Sequence, residues 1–207
     1  LEVCHTASLE VASELAKVSS CAVLTHGSLP RGALAWEATA RWVADAADLG
    51  PVAAATELAR RLTGLDVSEL QWGLTVCDLR RVGAVVDALG AVSSLEDRRG
   101  LFWALAFVRG REVGSTPVRD LARAVQAGVE GAAEVGHCLG TAADDVVVDG
   151  WGGGHGGGGL GLYVPEPLGS RLEAYLGASS LPELTGYGKL LQAYRGYSER
   201  RLPLTGR

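Results

Sequence analysis

Residues 2–15 read EVCHTASLEVASEL, and they place a cysteine, Cys4, directly before a segment with helical periodicity. Apolar residues recur at helical spacing from Ala7 to Lys17, which predicts an amphipathic helix. The run CAVLTHG at residues 21–27 then predicts a short buried strand. Strand, helix and strand in such quick order is the pattern of a parallel βαβ unit, so the expected fold class is α/β. We expect the first strand of that unit just before Cys4, where it is either missing or reduced to residues 1–3.

The rest of the sequence alternates helical segments with short apolar runs. Gly50 and Pro51 give a strong stop and restart between two helices. Asp78 directly follows a strand and stands where the N-cap of a helix belongs. One domain is expected over residues 1–207. The predicted helices are 36–47, 52–62, 79–89, 97–108 and 121–133, with a short helix and a tyrosine-rich helix in 170–200; the further strands are 74–77 and one on each side of a glycine-rich loop within 146–167.

The composition is that of an ordinary globular chain. Of the 207 residues, 47 % are apolar and 21 % are charged. The net charge of −5, without a basic block, argues against a nucleic-acid partner. No apolar run reaches the roughly 20 residues that span a bilayer, so no membrane span is expected. The sequence contains no methionine, and we expect a processed chain or a piece of a longer product.

The four cysteines are widely spaced, and none belongs to a CxxC pair. This spacing excludes zinc-knuckle and thioredoxin-type sites. It leaves open buried thiols, one or two disulfide bridges, or one reactive thiol among inert ones. The cysteines are Cys4, Cys21, Cys77 and Cys138.

Cys4 stands at a position where a nucleophile can be made. The free backbone N–H groups and the positive end of a following helix stabilise a thiolate, and the same donors can hold a developing oxyanion. The alternative is an inert buried thiol, because cysteine is among the most buried residue types.

The stretch EVCHTASLEVASEL resembles the signature around the nucleophile of the clostripain family, the C11 cysteine peptidases. That signature is an Asp-x-Cys, a few small or apolar residues, then a Glu and an apolar helix; Glu2, Cys4 and Glu10 fall on those places. Five later segments resemble family segments in the same order, and together the matches span nearly the whole chain. These segments are AVLTHGSLPRGALAW, LTVCDLRRVGAVVDAL, STPVRDLARAV, GGLGLYVPEP and LTGYGKLLQAY.

The resemblance implies a fold and a mechanism. The fold is a caspase-like α/β/α sandwich with a mostly parallel sheet, completed by an N-terminal part absent from this chain. Catalysis is acyl transfer to Cys4 from a peptide or protein substrate, without a cofactor or a metal. The catalytic histidine lies on an earlier strand, so the resemblance implies an N-terminal partner chain or segment that carries it. Many family members are secreted, which favours export.

The resemblance also assigns two candidate substrate-binding residues. In the family, an aspartate two residues before the cysteine helps to build a pocket for a basic P1 side chain, and Glu2 takes that place here. The second acid of the family pocket lies in the loop where this sequence has Arg31 and Gly32. Arg31 would repel a cationic P1 residue or pair with Glu2, so the P1 preference is left open.

The histidines of this sequence are poor candidates for the catalytic base. His5 is next to Cys4, where neighbouring side chains point in different directions. His26 ends a predicted strand, at the sheet edge where active-site loops commonly lie, and its leading interpretation is a loop histidine without a catalytic role. His137 beside Cys138 makes only two potential metal ligands. The expected base is therefore outside this sequence.

Two functions of different classes follow, and a third is weighed against them. The leading hypothesis is a clostripain-type cysteine endopeptidase; the alternative is a non-catalytic caspase-like scaffold for assembly or binding. A nucleotide binder would need phosphate contacts in the glycine-rich residues 152–159. That loop lacks the Lys-Ser/Thr of a P-loop and no helix follows it, which favours a flexible connection between strands.

Overall fold

The computed structural model describes residues 6–27, 36–46, 48–62, 73–109, 116–152, 159–164 and 171–201. These residues form a helix-rich α/β structure in two compact units, one within Leu1–Val82 and Ala143–Leu160, the other within Gly83–Ala142 and Gly161–Arg207. The expectation of one domain over residues 1–207 stays a prediction. The elements are α1 Leu9–Leu15, β1 Cys21–His26, α2 Trp36–Asp45, α3 Pro51–Leu62, β2 Gly73–Asp78, α4 Val82–Ser94, α5 Arg98–Arg109, β3 Thr116–Pro117, α6 Val118–Gly128, α7 Ala133–Val146, β4 Val147–Gly152, β5 Gly161–Leu162, α8 Arg171–Ala178, α9 Leu181–Leu184 and α10 Tyr187–Arg201.

The first unit contains a three-stranded sheet in the order β1–β2–β4. Both strand pairs are antiparallel: Cys21 lies opposite Asp78, and Gly73 lies opposite both His26 and Gly152. The two strands of the second unit, β3 and β5, are also antiparallel. The expected mostly parallel sheet is therefore not confirmed within the described residues.

The connections between the strands explain their direction. A parallel pair needs a crossover that returns the chain to the end where it started, which one helix achieves. Within the described residues between β1 and β2, the chain instead forms two helices, α2 and α3, which are divided at Gly50 and Pro51. The second helix allows one more reversal, so β2 can enter the sheet opposite to β1.

The core of the first unit lies between α3 and one face of the sheet. Ala55, Ala59 and Leu62 of α3 pack on Leu74 and Val76 of β2, and all five are buried. The alanines are spaced four residues apart and have small side chains, so they let the helix approach the strand closely. Partly buried apolar side chains complete this core: Cys21, Val23, Leu58 and Trp151.

Helix α1 is short and is anchored at its start. The Ser8 side chain accepts a hydrogen bond from the Val11 N–H at 3.3 Å, which is the N-cap arrangement. Leu9 and Ala12 are fully buried. A helix of seven residues gains little from its own hydrogen bonds, so this buried face is what holds it.

The second unit is built from helices that pack closely. Helices α5 and α6 pack together, and α10 packs on α8 and α9. A Cβ atom added at Gly136 of α7 would lie 2.7 Å from the Ala122 carbonyl oxygen of α6, so glycine is required for this close approach. Phe102 packs against Tyr194 and Tyr197, with ring centroids 5.8 and 5.0 Å away.

Most predicted elements are confirmed, with ends that differ by a few residues. The break at Gly50 and Pro51 and the N-cap at Asp78 lie where the sequence placed them. Two helices were missed: the predicted helix 121–133 ends at Gly128 and a separate helix, α7, follows, and 170–200 contains α8, α9 and α10 where two helices were predicted. Within the described part of the chain, no helix combines the length and the apolar character that crossing a membrane requires.

Candidate active site

Three connections meet at one end of the three-stranded sheet. The last residue of β1, His26, lies opposite the first residue of β2, Gly73, which in turn lies opposite the last residue of β4, Gly152. We call these three residues the loop end of the sheet. Active sites commonly form where several connections meet at the end of a sheet, because loops can vary while the strands hold them.

The segment that leads into α1 docks beside this end of the sheet. The Ala7 N–H donates to the Thr25 carbonyl oxygen at 2.9 Å. The Thr25 N–H donates to Thr6 Oγ1 at 2.8 Å, and the two hydroxyl oxygens are 3.1 Å apart. The N–H and the carbonyl oxygen of Thr25 therefore both form hydrogen bonds on the edge of β1 that does not pair with β2. The chain therefore enters α1 beside the end of β1.

From there the chain runs to the opposite end of the sheet before β1 begins. Ser20, just before β1, accepts a hydrogen bond from the Leu79 N–H at 3.0 Å, just after β2. Helix α1 thus starts near the end of β1 and finishes near its start. This is the path of the helix in a βαβ unit, in which the strand before the helix ends at the same side as the strand after it.

The residues with the leading predicted roles lie outside the described residues. They are Cys4, Glu2 and Arg31, and the same holds for His5 and the glycines between residues 153 and 158. Their roles stay predictions. The described structure places the residue two positions after Cys4, Thr6, at the end of β1.

His26 is half-buried and held by the sheet. Its Nε2 atom is 2.6 Å from Oγ1 of Thr75, which is fully buried on β2. His26 lies opposite Gly73, and Thr75 is two positions further along β2 than Gly73. Side chains two positions apart point to the same side, so His26 and Thr75 lie on one face of the sheet. The ring is therefore fixed at the loop end as the last side chain of a strand, rather than carried on a loop.

His137 and Cys138 lie on the exposed surface of α7. The Cys138 sulfur is 3.9 Å from a Glu134 carboxylate oxygen, its neighbour one turn back. No group of three metal-binding side chains occurs among the residues that the structure describes.

The three described thiols differ in their surroundings. Cys77 is fully buried in β2, and this burial raises the pKa of its thiol from 9.0 to about 12, because the charged form would lose its hydration. Cys21 is half-buried and its Sγ donates to the Pro51 carbonyl oxygen at 3.2 Å. Cys138 is exposed. Cys77, at least, is held in an environment that opposes nucleophilic chemistry.

The Asp-Leu turn after β2 has a structural role at the other end of the sheet. Both carboxylate oxygens of Asp78 accept from the Arg80 guanidinium at 2.8 Å, and Oδ1 also accepts from the Arg80 N–H at 3.2 Å. These bonds to Arg80, with a smaller contribution from Arg81, lower the pKa of Asp78 although its burial opposes this. Asp78 therefore stays ionised and caps the turn into α4.

No sequence pattern indicated the threonine pair at the site. Thr6 and Thr25 are 19 positions apart, and threonine is common in strands and before helices. Only the pairing of the segment before α1 with β1, a non-local contact, brings them together.

The sequence matches no known family model and no curated protein. The solved structures to which this structure is similar include two proteases. It resembles a B. fragilis cysteine protease with a TM-score of 0.64 and 15 % identity, over 90 % of this chain and 85 % of that chain. It resembles an inactive zymogen of a C11 protease from Parabacteroides distasonis with a TM-score of 0.62 and 12 % identity, over 88 % of this chain and 56 % of that chain. At these identities the likeness concerns the fold, and the chain has the C11, clostripain-like fold that its sequence motifs predicted.

Proposed function

We propose that this chain is the nucleophile-bearing part of a clostripain-type cysteine endopeptidase. The observation that carries the proposal is the docking of Thr6 and Ala7 on Thr25, which brings the start of α1 to the loop end of the sheet. Cys4 stands two residues before Thr6 in the sequence. Both structural neighbours are cysteine proteases, which supports this chemistry for the fold.

In the proposed mechanism Cys4 is the nucleophile of an acyl transfer. A histidine base takes the proton of the Cys4 thiol, the thiolate attacks the peptide carbonyl carbon, and backbone N–H groups near Cys4 hold the oxyanion. The C–N bond then breaks, the amine leaves with a proton from the histidine, and a thioester joins the acyl group to Cys4. Water, deprotonated by the same histidine, hydrolyses the thioester and restores the thiol.

The base is proposed to come from a segment or partner chain that precedes this sequence in the fold. His26 bonds to Thr75, and His137 lies on the exposed surface of α7. The chain corresponds to 56 % of the matched zymogen chain, so the activity of a whole protein is part of the proposal.

Selective alkylation tests the nucleophile. We expect iodoacetamide at pH 6.5 to modify Cys4 at least about tenfold faster than Cys138, because an activated cysteine has a lowered pKa and holds far more thiolate. Cys77 should react only after unfolding, since its pKa is about 12. Peptide mass spectrometry of timed samples gives the rate at each cysteine within one protein.

Cys138 is the internal control, because it is exposed and samples the reactivity of an ordinary surface thiol. A Cys4 rate no higher than the Cys138 rate would contradict the endopeptidase and favour the non-catalytic scaffold.

Glu2 and Arg31 are proposed to set the P1 preference. If Glu2 lines the pocket, Glu2→Gln should lower kcat/KM for Arg or Lys substrates roughly ten- to a hundredfold, the value of a partly buried charge-assisted contact. If Arg31 already pairs with Glu2, Arg31→Ala should instead raise kcat/KM for these substrates. Fluorogenic peptides that differ only at P1 separate the two cases, and an unchanged preference in both variants would show that neither residue faces the pocket.

A further inference from the structure

We propose that Thr6 is a positioning residue for Cys4, an inference that rests on the proposed function. Its hydroxyl fixes the segment that follows the nucleophile against the end of β1. Thr6 does not touch the reacting atoms in this proposal; it acts through the chain that joins it to Cys4.

The contacts of Thr6 are unusual because a side chain takes the place of a backbone acceptor. On the edge of a strand, a backbone N–H ordinarily donates to a carbonyl of the next strand. Here the Thr25 N–H donates to the Thr6 hydroxyl oxygen at 2.8 Å. Thr25 is buried, with 7 % of its surface exposed, so water has little access to replace the Thr6 hydroxyl as the acceptor for this N–H.

The backbone of Thr6 has a different use. Its carbonyl oxygen accepts from the Ser8 N–H at 2.7 Å, which closes a tight turn at the entry to α1. Ser8 then caps the helix, and Leu9 is fully buried behind it. The turn sets the direction in which the chain leaves Thr6, and the hydroxyl sets where along β1 the turn is placed.

A hydroxyl meets both demands of this position, whereas an apolar side chain of the same shape meets neither. Thr6 Oγ1 accepts a hydrogen bond from the Thr25 N–H. The hydroxyl groups of Thr6 and Thr25 form a second hydrogen bond with 3.1 Å between their oxygens, in which either hydroxyl can be the donor. Valine would keep the volume, leave the Thr25 N–H without this acceptor, and free the turn to shift. A shift of about 1 Å in a reacting group can cost on the order of a hundredfold in rate.

The test compares Thr6→Val with Thr6→Ser and with a matched control. Thr185→Val removes a hydroxyl of the same kind in the second unit: Thr185 is buried, its Oγ1 accepts from the Tyr187 N–H at 3.2 Å, and it donates to the Leu181 carbonyl oxygen at 2.8 Å. Each variant is made in the complete enzyme. The measurements are kcat and KM on a fluorogenic peptide, the thermal midpoint, and the fraction of Cys4 that iodoacetamide titrates.

We expect Thr6→Val to lower kcat, expressed per titratable Cys4, roughly ten- to a hundredfold. KM should stay within about threefold for a peptide with an uncharged P1 residue, because such a peptide makes no charge-assisted contact with Glu2. Thr6→Ser should recover most of kcat, since serine keeps the hydroxyl. Thr185→Val should lower the thermal midpoint to a similar extent and leave kcat unchanged.

Two results would overturn the inference while the endopeptidase stands: Thr6→Val keeps kcat within about twofold, or Thr185→Val loses as much kcat as Thr6→Val does. If the unsubstituted enzyme shows neither activity nor fast alkylation at Cys4, the proposed function fails, and the inference fails with it. The unsubstituted enzyme is measured first, so the two failures are distinguished.

Discussion

Cys4→Ala should lower kcat/KM for peptide hydrolysis at least about a thousandfold. Loss of the nucleophile removes the covalent route altogether, and the histidine and the oxyanion donors then have only water to direct at the carbonyl. A fluorogenic peptide assay of the complete enzyme measures this loss. Circular dichroism and the thermal midpoint should stay close to those of the unsubstituted protein, because the buried anchors of α1, Leu9 and Ala12, are untouched.

Cys138→Ala is the matched control for this result. It removes an exposed thiol from α7 and should keep kcat/KM within about twofold, as a surface substitution does. A loss of less than about tenfold in Cys4→Ala, with the fold retained, would show that Cys4 is not the nucleophile. An equal loss in both variants would show that the assay reports something other than thiol chemistry at Cys4.

Single residues predicted the ends of helices correctly where their residue type has one structural role. Gly50 and Pro51 end one helix and start the next, because proline lacks the N–H and glycine ends helices readily. Asp78 caps the turn after β2 through its own side chain, which is a contact between close neighbours. Such contacts join residues that are close together in the sequence, so the sequence alone is enough to predict them.

The sequence failed at α7 for an equally local reason. The predicted helix was continued to residue 133, but it ends at Gly128 because Val129 has an extended backbone, and Gly131 then has φ of +70° in the turn before α7. The following segment is rich in alanine and glycine, and Gly136 packs closely against α6. Small residues that serve close packing leave a weak apolar periodicity, so the pattern did not show a second helix.

Strand direction depends on contacts that local patterns do not contain. The run at β1 and the run at β2 are both apolar, and the same residues fit a parallel or an antiparallel neighbour. Whether β1 and β2 are parallel or antiparallel depends on how the helices between them return the chain to the sheet. The expectation of a mostly parallel sheet came from the segment around Cys4 and from the family resemblance, and the described pairs give no parallel example.

The fold that carries the candidate site was predictable from the sequence, whereas the contacts that hold the segment before α1 were not. A cysteine before a helix, together with the order of the family motifs, predicted the C11 fold that the solved structures bear out. The pair formed by Thr6 and Thr25 could not be predicted, because a hydroxyl that stands in for a backbone acceptor leaves no sequence pattern.

Alkaline pH should destabilise the protein through Cys77. The folded thiol has a pKa of about 12 because burial disfavours its charged form, whereas an unfolded thiol titrates near 9.0. The stabilisation given by the neutral buried thiol is complete below pH 9.0 and is lost as the pH rises toward 12, since only the unfolded chain releases the proton there. The free energy of unfolding should therefore fall by about 1.4 kcal/mol for each pH unit above 9 from this group alone.

Other groups also titrate in this range, so the effect is read as a difference between variants. Cys77→Ala lacks the thiol, and although the lost volume lowers its stability at every pH, its pH dependence between 9 and 11 should be shallower than that of the unsubstituted protein by this amount. Cys138→Ala should keep the full dependence, because it leaves the buried Cys77 thiol in place. Urea unfolding at half-unit pH steps measures all three proteins. Parallel curves for Cys77→Ala and the unsubstituted protein would mean that the folded Cys77 thiol ionises as readily as the unfolded one, and that burial does not raise its pKa.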